Sequence, residues 1–138
     1  MKGDNNSAMV QGSEIFELPI RVYYEDTDAG GIVYHATYLN FMERARTEWL
    51  MSKGINLNTH AQSHQEMFVV RKLDIEYRMP AYLCDDLIVR TKIIEKSRTR
   101  ALFEQIIFRN SDILTRGTVE IVTLDVATRR PKPLPNFF

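Results

Sequence analysis

A single cysteine stands among the 138 residues, so no internal disulfide framework can form. That lone thiol, Cys84, fits a reducing cytoplasm, and its neighbours Asp85 and Asp86 would raise a thiol pKa where nucleophilic catalysis needs it lowered. Long apolar runs are missing as well. The longest has four residues, such as Met67–Val70, against the about 20 needed to cross a bilayer. The first 13 residues, MKGDNNSAMVQGS, lack the sustained apolar stretch of a signal peptide and read as a disordered tail. An excess of either charge is absent too, since 18 Lys and Arg balance 18 Asp and Glu. Nucleic-acid binders normally carry a basic surplus to neutralise phosphates, so that partner class is set aside. No repeat or Gly/Ser linker divides the chain, and residues 14–138 are expected to form one domain. The G-x-S-x-G, Walker A, G-x-G-x-x-G and H-E-x-x-H motifs are all lacking.

What remains is an ordered alternation of patterns. Phe16–Glu25, rich in β-branched and aromatic residues, reads as a strand, and the following DTDAGG as a turn. Thr37 is the expected N-cap of a helix over Tyr38–Ser52, in which Tyr38, Phe41, Met42, Ala45 and Trp49 share one apolar face. Gly54 stops it. The segment Asn56–Glu66 is polar, with one loose helical turn at most. Then the period changes to two: Leu73, Ile75 and Tyr77 alternate with Asp74 and Glu76 up to Pro80. Leu87–Lys96, Arg98–Arg109 and Leu114–Val126 are three further β-rich runs, separated by Ser97 and by Asn110–Asp112. The proline-rich end, RRPKPLPNFF, should be extended. Short connections favour antiparallel neighbours, so the expected class is α+β: an antiparallel sheet wrapped around one long central helix. One helix cannot cover every sheet edge, and an uncovered edge predicts a homo-oligomer.

Three clusters bear on chemistry. His60 and His64 are spaced to share a helical face, but their surroundings are polar and no third ligand is near, so an exposed turn is expected rather than a metal site. Tyr23–His35, YYEDTDAGGIVYH, delivers Glu25, Asp26 and Asp28 on a glycine-rich turn just before a helix. Unpaired amides at a helix start can hold an oxyanion, and a carboxylate from the preceding turn can face the same point as base or nucleophile. A tight turn with capping Asp residues and a packed His35 would have the same composition. Arg90–Arg100 carries five cations against Glu95 alone, which fits either a solvated hairpin or a phosphate-binding rim.

Arg21–Glu48, RVYYEDTDAGGIVYHATYLNFMERARTE, closely resembles the signature of the hot-dog-fold acyl-CoA thioesterases, and among them the Tol-Pal system-associated family of Gram-negative bacteria. It is similar, more distantly, to 4-hydroxybenzoyl-CoA thioesterase, and the likeness continues through FVVRKLDIEYRMPAYLCDDL and RPKPLP. The resemblance implies a hot-dog fold and hydrolysis of an acyl-CoA thioester with no metal or redox cofactor. By position it makes Asp28 the catalytic carboxylate, with Tyr24 and His35 completing a Tyr–Asp–His pattern. The backbone N–H at His35 takes the place of the amide that polarises the thioester carbonyl. The benzoyl relative has Tyr where this chain has His35, so no role for the imidazole carries over from it. Coenzyme A phosphates would be met by some of Arg71, Lys72, Arg90, Lys92, Arg98 and Arg100. The implied assembly is a homodimer or homotetramer, working in the cytoplasm or peripherally at the inner membrane, with acyl carrier protein or other envelope and lipid-metabolism proteins as partners. An acyl-group or acyl-carrier-protein binding module with little activity, and a hot-dog hydratase, are the alternatives.

Overall fold

Period-two alternation governs the second half of the chain and builds the sheet. The computed structural model describes residues 8–9 and 14–138. Its strands are β1 (Ala8–Met9), β2 (Phe16–Arg21), β3 (Glu66–Tyr77), β4 (Asp86–Lys96), β5 (Arg100–Arg109) and β6 (Asp112–Asp125). Its helices are α1 (Thr37–Ser52) and α2 (Leu57–His64). In β4 the side chains of Leu87, Val89, Thr91 and Ile93 turn inward while their neighbours are less buried, the pattern of a strand with one covered face. The strands pair antiparallel in the order β4–β5–β6–β3, and both β1 and β2 lie along the outer side of β4. Asn110 at the β5–β6 turn takes a φ of 55°, the left-handed conformation that asparagine tolerates better than most residues.

The long helix α1 lies on this sheet. Its Tyr38, Phe41, Met42 and Ala45 pack with Val22, Val33, Ala81, Leu87, Val89, Ile107 and Leu114. One turn further on, Trp49 and Leu50 join Ile93, Phe103, Val119 and Ile121, with Phe137 and Phe138 of the chain's end laid against them. Gly117 of β6 lets α1 approach closely, since a Cβ there would stand 3.1 Å from the Met42 methyl. A polar tie crosses the core. Buried Gln105 donates to the Met42 carbonyl (2.9 Å) and to Thr91 Oγ1 (2.8 Å), and accepts from Arg46 (2.9 Å). Both N–H groups of that amide are thereby used and its oxygen keeps one spare lone pair, which keeps its burial from costing stability.

The α+β class and the helix-on-sheet architecture hold, while four local readings are corrected. The first long strand ends at Arg21, because Tyr24–Asp26 coil into a 3-10 turn whose Asp26 carboxylate accepts from the Tyr23 amide (2.8 Å). Thr37 is the first helical residue, and Ala36 stands at the N-cap without a capping side chain. Asn56–Glu66 is no loose turn: Asn56 Oδ1 accepts from the amides of Asn58 (3.0 Å) and Thr59 (3.2 Å), starting the eight-residue α2. On it His60 is buried rather than exposed, its Nε2 2.7 Å from Glu66 Oε1 and its ring stacked on His64. No three potential metal ligands cluster among the described residues. The tail reading of residues 1–13 lies outside the described residues except at Ala8 and Met9, which pair with Lys96 and Glu95.

A buried carboxylate on β6 gives this sheet a pH dependence. Burial alone raises the Glu120 carboxyl, but Arg71 and Arg100 on either side outweigh it and hold the group below its ordinary range. A depressed carboxyl contributes stability at neutral pH that is lost as pH falls through its folded pKa. Glu120→Gln should therefore be less stable than the parent at pH 7, with the gap closing in acid. Urea unfolding across pH checks this; a gap that stays constant into acid would remove the ion pairs as its cause.

Candidate active site

The chain leaves β2, coils at Tyr24–Asp26 and reverses before α1. Thr27 bridges Val33, the Asp28 amide donates to the Ile32 carbonyl (3.0 Å), and the Tyr34 amide donates to the Asp26 carbonyl (3.0 Å). Gly31, at φ +80°, makes the reversal that a side chain would strain. Asp28 Oδ1 accepts from the Gly30 amide (2.8 Å), which orients the exposed carboxylate. Its Oδ2 accepts no hydrogen bond from the described residues, so one carboxylate oxygen is held and the other is available.

Five residues beyond the turn, α1 begins. No acceptor is found among the described residues for the amides of Ala36, at the N-cap of α1, and of His35 just before it. These donors carry the positive end of the helix dipole. The His35 carbonyl accepts from the Tyr77 hydroxyl (2.7 Å), which pins the helix start to the end of β3. The His35 ring tilts against Tyr34 at 4.5 Å between centroids. Tyr38 stands behind, its hydroxyl accepting from the Ala81 amide (3.0 Å). Burial raises the pKa of both Tyr38 and Tyr77, so each phenol stays protonated at neutral pH.

Asp28, His35, Tyr38 and Tyr77 share a cavity of about 370 Å3, lined further by Ile32, Val33, Arg78, Met79 and Pro80. Two of the three residues expected from the sequence thus meet there. Tyr24 does not line this cavity; its side chain is 82% exposed. The six cations expected at coenzyme A are spread over the sheet, and none lines this cavity. Arg71 and Arg100 pair with Glu120, Arg90 with Glu17 (2.9 Å), and Lys92 lies 3.8 Å from Glu104. Lys72 and Arg98 are exposed. The cation that does reach the cavity is Arg78, paired with Glu76. Arg78 and Tyr77 escaped the sequence reading, for they sit over 40 residues from the turn they serve. Tyr77→Phe should lower turnover about fivefold, the worth of one hydrogen bond of ~1 kcal/mol, with KM little changed. Steady-state kinetics with a thiol reagent reads this, and unchanged turnover would leave Tyr77 no positioning role.

Comparison with known proteins converges on one group. The thioesterase-like superfamily matches residues 22–138. The acyl-CoA thioesterase YbgC of Haemophilus influenzae is 45% identical over 120 residues, 87% of this chain and 88% of that protein. The acyl-CoA thioester hydrolase YbgC of Escherichia coli O6:H1 is 42% identical over 122 residues, 88% of this chain and 90% of that protein. Among solved structures, a probable thioesterase from Bartonella henselae superposes with a TM-score of 0.84 at 34% identity, covering 88% of this chain and 100% of that one.

Proposed function

The chain belongs to the thioesterase-like superfamily, and from that premise we propose that it hydrolyses an acyl-CoA thioester to the free acid and coenzyme A. The observation that carries the reading is one cavity lined both by Asp28, with an available carboxylate oxygen, and by His35, whose amide has no partner among the described residues. The thioester carbonyl oxygen points at the His35 and Ala36 amides. Asp28 either attacks the carbonyl carbon or takes a proton from the water that does. On both routes the electrons of the carbonyl move onto oxygen, and the amides meet that oxyanion. Collapse of the tetrahedral centre expels the coenzyme A thiolate, which then takes up a proton. Removing one oxyanion donor typically costs about 3–4 kcal/mol of transition-state stabilisation.

Here the amide at His35, rather than its imidazole, does the work. His35→Ala should accordingly lower turnover far less than loss of the Asp28 carboxylate, measured as thiol release. Equal losses would move the role to the ring. Tyr24, fully on the surface of a single chain, enters the reading as a residue that meets substrate or a second copy at the mouth of the site. Arg78 is the first cation available to a coenzyme A phosphate at this cavity, with the six sheet cations further out.

The reading extends to assembly and place. The outer edge of β3 meets no strand among the described residues, which supports a homodimer formed there, alone or within a homotetramer. The resemblance of Arg21–Glu48 to the Tol-Pal-associated thioesterase signature extends the proposal to a role in the cytoplasm beside that envelope system, with acyl carrier protein as a candidate partner at the inner membrane. No helix of the described residues is long and apolar enough to cross a membrane. Thiol release screened over acyl-CoA esters of graded length tests the function directly, and inactivity on all of them would favour a binding module.

A further inference from the structure

At the far end of α1 lies a second cavity, of about 440 Å3, between that helix, β4 and the last residues of the chain. It shares no lining residue with the Asp28 cavity, and α1 spans about 24 Å between the two ends. Its floor is apolar and buried: Trp49, Ile93 and Phe103 are each less than a tenth exposed. Phe138 walls one side, with its ring 5.7 Å from that of Trp49 and 6.2 Å from that of Phe103. The rim is cationic. Lys53, Lys92 and Lys96 line it; Glu14 pairs with Lys53 at 2.7 Å and Glu104 lies 3.8 Å from Lys92, so among the described residues Lys96 is the rim lysine that faces no carboxylate side chain. Lys96 donates to the Phe138 carbonyl (3.1 Å), which leaves two of its three N–H donors for a ligand.

An apolar floor beside the Lys96 ammonium, with Lys53 next to it, fits a hydrophobic anion. We propose that this cavity binds a free medium-chain fatty acid, its chain over Trp49 and Phe103 and its carboxylate at Lys96 and Lys53. A neutral lipid would leave the Lys96 ammonium unused. The site takes the same class of molecule that thioester hydrolysis releases, but it stands apart from the reacting atoms.

Trp49 is the only tryptophan, so the cavity contains its own reporter. Decanoate titrated into the full chain should shift Trp49 emission to saturation. Across a series of acids the affinity should rise up to about fourfold per added methylene, the value of burying one such group. Decanol should bind at least about tenfold more weakly, for want of charge-assisted hydrogen bonds. Lys53→Glu with Lys96→Glu should weaken decanoate by a similar factor and leave thiol release from a short acyl-CoA unchanged. Lys96→Met, which removes one charge without adding another, is the milder variant should the double one unfold. Asp28→Asn should bind decanoate as the parent does. Four results would overturn the proposal: emission unmoved by millimolar decanoate, decanol binding as tightly as the acid, coenzyme A rather than decanoate moving the signal, or binding lost in Asp28→Asn.

Discussion

Asp28→Asn should abolish thiol release from acyl-CoA while leaving the fold intact. The amide oxygen of Asn can still accept from the Gly30 amide, and the Ile32 and Gly31 backbone bonds around position 28 do not involve the side chain. What disappears is the anionic oxygen that either attacks the carbonyl or accepts a proton from water. Loss of a positioned general base typically costs about 10²–10⁴ in rate. The expected outcome is a fall of that size in kcat, with unchanged circular dichroism and thermal midpoint. Near-normal turnover in this variant would remove Asp28 from the chemistry. A single turnover of the parent in ¹⁸O water then separates the two routes. Direct attack forms an acyl-Asp28 anhydride, and its hydrolysis at the acyl carbon places the water oxygen in the product acid. Hydrolysis at the aspartyl carbon instead labels Asp28 itself. A general base never puts label into the enzyme, so labelled Asp28 establishes the nucleophilic route.

The legible part of this site is the part that is local in sequence. Asp28, Gly31 and His35 lie within eight positions on one turn and the approach to one helix, so their residue types bring a carboxylate and a helix start into one segment, and the resemblance of Arg21–Glu48 to the thioesterase signature favours that reading over a plain capping turn. Tyr77 reaches the same place only because β3 returns alongside, 42 residues after His35, and no spacing announces that. The basic stretch misled for a related reason. Arg90, Lys92 and Arg100 look unopposed along the chain, yet Glu17, Glu104 and Glu120 stand across from them on neighbouring strands. Strand register decides which charges meet, and register is not written in composition. The polar segment before β3 follows the same rule: α2 forms around a buried His60 held by Glu66 and flanked by the rings of Phe68 and Phe137. Likewise Phe16–Glu25 has strand composition throughout, and only the Asp26 carboxylate folding back on the Tyr23 amide ends the strand early.

Blocking the β3 edge that meets no strand among the described residues should dissolve the proposed homodimer and the activity together. Val70 and Leu73 on that strand are 50% and 39% exposed in the single chain, unusual for branched apolar side chains with nothing to cover them. The Asp28 cavity is lined by Tyr77, the last residue of β3, and by Met79, which are themselves 44% and 43% exposed. An antiparallel copy paired about the middle of β3 would set its own β3 start beside Tyr77 and close that wall. Lysine at positions 70 and 73 places two charges where the copies would meet, a common means by which natural edges refuse pairing. Because both side chains are exposed, the substitutions should change the stability of the lone chain by no more than about 0.5 kcal/mol. The expected result for Val70→Lys/Leu73→Lys is a folded monomer by light scattering, with thiol release at least about tenfold down because water enters the unclosed site. Dilution of the parent should lower its specific activity in step with its mass. A folded monomer that keeps full turnover would show instead that one chain's turn and helix start suffice, and the β3 edge would then serve assembly alone.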